Sequence, residues 1–254
     1  KLNSSKKLNQ LTLISLSLIV ALFITSCSDT LSDTTDGRLR YWISTLSSDE
    51  FEGRAPGTPG GQLTKNFISQ SFQDFDLQPI TNDYFLDVPT SEITLKDSSY
   101  LTLSFRGDDR KMITGEEVVF WTKHARDYRK IRDSEVVFVG YGIVAPEYDW
   151  NDYEGIDVTG KTVLILVNDP GFATGKLRLF NGRSMTYYGR WTYKFEEAAR
   201  QGAAAAIIVH EEEPAAYPWS VVENSWQGPQ LDLQRDDLGA ERVILESWIR
   251  DHVL

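Results

Sequence analysis

Apolar side chains first recur at helical spacing between residues 38 and 46, where Leu39, Trp42 and Leu46 predict a short amphipathic helix. A loop rich in glycine and proline follows, from Glu52 to Gly61. Thr58 is placed to cap the next helix and Pro59 to occupy its first position. Leu63, Phe67, Ile68, Phe72 and Phe75 then share one face of a helix expected to end near Asp76, ahead of Pro79. From Tyr84 onward the period changes. Ile93, Leu95, Leu101, Leu103 and Phe105 alternate with polar residues, as in half-buried strands.

Residues 135–144 read as a valine-rich strand broken by Gly140 and Gly142, and 162–167 as an apolar run of the kind that forms a strand covered on both faces. Residues 191–201 predict a helix with Trp191, Phe195, Ala198 and Ala199 on one side and Gly202 as its terminator. Residues 204–209 are a second buried strand. Strand, connection, helix and strand make a β–α–β arrangement, for which right-handed crossovers are the rule. The fold class is therefore α/β in the mixed α+β sense. It comprises a helical segment over 38–89, too small for a core of its own, and a mixed-sheet module over 90–254. The last stretch, Trp248 to Leu254, reads as an amphipathic segment with no stop signal. With Lys rather than Met at position 1, it makes the chain read as a fragment that continues at both ends.

The first residues change the picture of where the protein works. Lys1, Lys6 and Lys7 precede an uncharged run from Leu11 to Ser26, and Cys27 follows at once. A basic flank and a short apolar stretch are the parts of a secretory signal, and the run is shorter than the roughly 20 residues of a spanning helix. Ile24-Thr25-Ser26-Cys27 resembles a bacterial lipobox, which makes 1–26 a signal peptide, Cys27 the lipidation site and 27–37 a flexible tether. This implies a lipid-anchored protein on the periplasmic or extracellular side of the cell envelope. Cys27 is the only cysteine, so no internal disulfide forms.

Loss of 1–26 removes three lysines and moves the formal charge from −11 to −14. Such an acidic chain with no basic stripe excludes nucleic acid as a partner. A hydrophobic content of 41% supports packed cores rather than disorder.

Candidate chemistry is sparse. The 53–61 loop lacks the Lys-Ser/Thr pair of a phosphate-binding loop and reads as a demanding turn into a helix, in which Arg54 could act as a clamp. The three histidines, His124, His210 and His252, have no metal-ligand spacing, and Glu211 to Glu213 after His210 read as a solvated loop. There is no Gly-x-Ser-x-Gly elbow. Glu116-Glu117 and Glu196-Glu197 could in principle supply a base, although the second pair reads as the solvent face of a helix. No catalytic or metal-ligating residue is assigned. Tyr187, Tyr188, Arg190, Trp191 and Tyr193 form the strongest local cluster. It reads first as a lid on the module's own core, with ligand stacking or cation–π contact as the alternative.

Two longer stretches carry a resemblance. The run 46–61, with the helix after it and Gln78-Pro79, resembles the N-terminal opening of bacterial aminopeptidases of metallopeptidase family 28. The ordered runs 138–143, 148–153, 160–163, 168–171, 188–194 and 197–203 are similar to the protease-associated (PA) domain inserted in many members. The resemblance implies an exported enzyme that removes N-terminal residues from peptide substrates, with the PA module flanking the cleft. It also implies two zinc ions held by His, Asp and Glu, with a glutamate as general base. The family's ligands begin with a His-x-Asp element beyond the inserted domain, so the zinc centre is expected downstream of residue 254 and the PA module is read as truncated. The Glu-Glu pairs here lie inside the inserted module and do not inherit the catalytic role. Asp76 stands where relatives often end a helix with glycine, a change that a left-handed Asp accommodates. A lipid-anchored PA-type binding module without catalysis is the alternative of a different class, and a purely structural lipoprotein accounts for neither stretch.

Overall fold

The computed structural model describes residues 35–254, which divide into two compact units meeting in sequence at Leu86 and Asp87. The predicted signal, Cys27 and most of the tether lie outside the described residues.

The first unit holds helix α1 (Thr35–Leu46) and helix α2 (Pro59–Asp74), joined by a 3-10 turn at Asp49–Arg54. Thr58 caps α2 by accepting the Gly61 N–H at 3.1 Å, with Pro59 at the first helical position. A side chain at Gly60 would collide with the carbonyl of Phe51, so the loop's glycine is needed for a close approach of backbones. Arg54 reaches back to donate to the Leu46 carbonyl, which makes it a clamp on the turn. Aromatic edges join the helices, Trp42 to Phe75 at 5.5 Å and Tyr41 to Phe67 at 6.0 Å. α2 stops at Asp74 and Asp76 takes the left-handed conformation (φ 54°). Leu39, Ile43, Phe72, Phe75 and Leu77 remain exposed, as a segment this small cannot bury its own apolar face.

The second unit is a mixed α/β module. Its strands are β1 (Thr90–Ile93), β2 (Thr102–Phe105), β3 (Asp108–Lys111), β4 (Val118–Trp121), β5 (Val136–Phe138), β6 (Val144–Ala145), β7 (Trp150–Asn151) and β8 (Thr162–Leu166). Then come α3 (Pro170–Thr174), α4 (Trp191–Arg200), β9 (Ala205–His210), α5 (Glu212–Ala215), α6 (Trp219–Ser225), β10 (Gln230–Leu233) and β11 (Leu245–Arg250). The central sheet has the order β4-β11-β9-β8-β5, parallel from β11 to β5 and closed by β4 antiparallel to β11. Alternation along its strands feeds two cores. Val119, Val163, Ile165, Ala206, Ile208 and Trp248 face one side, where Phe195 and Ala198 of α4 pack. Val118, Phe120, Ile207, Val209 and Ile249 face the other, against Leu101 and Met112. β9 is buried along its whole length, as expected of a central strand covered on both sides.

Three readings change. Residues 248–254 do not form a free amphipathic segment: 245–250 is a strand between β9 and β4, and only Asp251–Val253 turns as a 3-10 helix. A strand buried on both faces loses its alternation, which hides it from pattern reading. The 135–144 strand ends at Phe138, because Gly140 (φ 56°) and Gly142 (φ 62°) turn the chain into β6. Lastly, Glu197 does not face solvent. It is buried and accepts from Arg200 Nε at 2.8 Å and Gln201 Nε2 at 2.8 Å.

Candidate functional site

At the carboxyl ends of β5 and β8 the chain makes two tight turns, and helix α4 drives a lysine between them. Beyond β5, Tyr141 leads into Gly142, where a Cβ would stand 3.0 Å from Ile165. Beyond β8, Asn168 adopts φ 69°, a left-handed geometry that Asn tolerates. Its side chain donates to the Pro214 carbonyl at 2.8 Å and accepts the Asp169 N–H at 2.8 Å. Asp169 is fully buried. One of its carboxylate oxygens caps α3 through Gly171 N–H (3.1 Å), and the other accepts both Thr186 N–H (2.9 Å) and Thr186 hydroxyl (2.8 Å).

Lys194, with 0% of its surface exposed, projects from α4 into this region. Its Nζ donates to the Tyr141 carbonyl at 2.7 Å and to the Tyr188 carbonyl at 3.4 Å. Burial pulls its pKa down to about 7, against the opposing pull of the Asp152 and Asp169 charges. Asp152 accepts the Ile143 N–H at 2.9 Å, and burial pushes its carboxyl above the usual range. Tyr141 is raised too, first by burial and then by Glu211, Asp169 and Asp152.

An aromatic layer covers the node. Tyr148 stacks on Phe180 at 4.3 Å, and Tyr188 meets the Tyr193 ring edge-on at 5.0 Å. The Tyr193 hydroxyl donates to the Val144 carbonyl at 3.1 Å and accepts the Val144 N–H at 3.1 Å; burial lifts its pKa to about 12. The Tyr188 hydroxyl donates to Glu147 at 2.6 Å, which raises the phenol to about 12 and lowers Glu147.

The predicted cluster thus splits. Tyr188 and Tyr193 serve the interior, as a core lid would. Tyr187 is 60% exposed, with its hydroxyl donating to Glu196 at 3.0 Å, and Trp191 is 39% exposed against Phe195 and Trp226. Arg190 is exposed before α4 and its charge acts on Tyr217; the guanidinium lying over the Tyr193 ring, at 5.5 Å, belongs to Arg200. Lys194, Asp152 and Asp169 carry the node, and reading by residue type passed over all three. The signal for Lys194 was available, since it lies four residues before Ala198 on the buried stripe of α4.

His210 is buried among the rings of Tyr217, Trp219 and Trp248, and burial lowers its pKa. Glu117 is buried and paired with Arg110. Among the described residues no three His, Cys, Asp or Glu side chains gather as a metal site, so the described residues do not fit a zinc centre. The parallel strands β5, β8, β9 and β11 lie in sequential order without a reversal, so the sheet lacks the switch-point crevice where open α/β folds bind ligands. What the node does is fix two strand-end loops and a helix as one body.

No family model matches the chain, and no curated protein sequence does so. Among solved structures it is similar to an aminopeptidase from Aneurinibacillus sp. strain AM-1, at 18% identity over 83% of this chain and 39% of that one (TM-score 0.33). It is also similar to BSAP, a zinc aminopeptidase from Bacillus subtilis, at 18% identity over 81% of this chain and 42% of that one (TM-score 0.26). The chain spans less than half the length of either protein.

Proposed function

We propose that this chain is the N-terminal portion of an exported, lipid-anchored, zinc-dependent aminopeptidase, in which the second unit is a PA-type module flanking the substrate cleft. The observation that carries the reading is the buried node. Tyr141, Asp152, Asn168, Asp169, Tyr188 and Lys194 come from four of the separate stretches that carry the resemblance and pack together around one buried lysine, which supports reading those stretches as one module. The reading assigns the zinc ligands to sequence downstream of residue 254, and it assigns the peptide-trimming activity to the whole protein.

The test uses the complete product of the gene. It should release N-terminal residues from unblocked peptides, spare N-acetylated ones, and lose activity to a zinc chelator with recovery on added zinc. An intact reading frame with no His-x-Asp element and no such activity would overturn the reading in favour of a non-catalytic binding module, which the exposed Tyr187 and Trp191 would then serve. The anchor is tested separately. Cys27→Ser should move the protein from the membrane fraction to the soluble fraction and abolish palmitate labelling.

A further inference from the structure

β5 is the last strand of the central sheet, and no further strand pairs with its outer side among the described residues. The ladder fixes which groups face outward. The Thr162 N–H donates to the Glu135 carbonyl at 2.9 Å and the Val139 N–H to the Leu164 carbonyl at 3.1 Å. Odd-numbered residues therefore bond to β8, and Val136 and Phe138 turn their N–H and C=O groups to the open side. Their side chains share one face and are 47% and 56% exposed, while Val137 between them packs against the core beneath α4. Charge is split along this edge. The stretch 126–132, which leads into the strand, holds four basic residues and one acid. Arg126, Lys130 and Arg132 are exposed there and make no ion pair among the described residues. The stretch 147–157, beyond the strand, holds five acids and no base. It is tied to the carboxyl end of β5 by the Asp152 N–H, which donates to the Ile143 carbonyl at 2.8 Å. Glu135, the charge nearest the strand, is already held by Lys161 at 2.9 Å. β5 is short, but it carries none of the lysine, proline or bulge that guards many sheet edges.

We propose that a second copy of this chain docks on this edge, β5 against β5, antiparallel about a two-fold axis at Val137. The edge is its own complement in three respects. Val136 of each copy stands opposite Phe138 of the other, so their outward groups exchange backbone hydrogen bonds in two reciprocal pairs. Each Val136 side chain then meets a Phe138 ring on the same face, the β-branched and aromatic pairing that stabilises neighbouring strands. The same register sets Arg132 level with Gly142 of the second copy, so each basic lead-in faces the acidic stretch of the other. An in-register parallel pairing would set like charges together, which selects the antiparallel arrangement. So short an edge buries little area and places the contact in the weak, transient class. Nothing in this contact depends on peptide cleavage, so its failure would leave the aminopeptidase reading untouched.

The experiment is sedimentation equilibrium of the full chain at low salt, from about 0.01 to about 1 mM, the range in which a weak contact of this kind populates a dimer. The parent should pass from monomer to dimer with concentration. Phe138→Lys places a charge on the edge and should remain monomeric. Arg132→Glu and Glu154→Lys should each weaken self-association by about 10-fold, because two symmetry-related contacts change from attraction to repulsion. Mixed in equal amounts, these two variants should associate as the parent does, since each supplies the charge that the other has lost. Circular dichroism of all three variants should match the parent. A parent that stays monomeric, a Phe138→Lys chain that associates like the parent, or charge variants whose mixture associates no better than either alone would each overturn the proposal.

Discussion

Lys194 is the residue whose chemistry is most constrained by its surroundings. Two carbonyl oxygens depend on its Nζ, and no solvent reaches it. Lys194→Met fills similar volume but strands those acceptors and leaves Asp152 and Asp169 without their nearby cation, so the variant should lose about 1–3 kcal/mol for each stranded group. The sign of the pH effect follows from linkage. An unfolded lysine holds its proton up to about pH 10.4, while in the fold Lys194 releases it at about 7. Between those values the unfolded chain binds more protons, so this residue makes stability rise with pH. Urea unfolding at pH 7 and pH 9 should show that rise in the parent and not in Lys194→Met. His210 acts in the acid range with the same sign. Its folded pKa lies below the ordinary value because burial disfavours imidazolium. Its contribution is present above about pH 6.5 and lost as pH falls through the folded value. His210→Phe should flatten the fall in melting temperature between pH 7 and pH 5.

At the scale of elements, the α2 cap makes a local prediction. Thr58→Ala removes the acceptor for the Gly61 N–H while the helix keeps Pro59 at its start. The first unit should lose about 1 kcal/mol, read as faster amide exchange in the first turn of α2 with the β9 amides unchanged. Elements with a clean period were legible in the sequence: α1 and α2 by their apolar stripes, α4 by its stripe and terminal glycine, and β8 and β9 as apolar runs. Those that escaped share a physical cause. β4 has only four residues, all buried, and β11 carries Glu246 and Ser247 inside the sheet, so neither shows alternation. α5 and α6 are too short for a period to declare itself. The same limit applied to the site. The tyrosines stood out by type, yet the node is formed by a lysine and two aspartates whose partners are distant in sequence.

For the whole molecule the decisive quantity is zinc. A zinc site needs three or four imidazole, thiolate or carboxylate ligands within about 2.0–2.3 Å of the ion, and the histidines of this chain are spent otherwise. Both His124 ring nitrogens are engaged, Nε2 with the Arg242 carbonyl at 3.0 Å and Nδ1 with Arg129 at 3.0 Å. His210 is enclosed by three rings, and His252 stands exposed beside Asp251 at 3.6 Å. A chain of charge −11 attracts divalent cations loosely, by its general field, and salt screens that attraction. The 254-residue chain, loaded with zinc and then dialysed in 0.15 M salt, should therefore retain far less than one zinc per molecule by mass spectrometry, and a chelator should leave its melting temperature unchanged. One or two tightly held ions would instead put the metal centre on this chain, and the assignment of zinc to sequence downstream of residue 254 would fall. Retention that vanishes at higher salt belongs to the surface field and leaves that assignment standing.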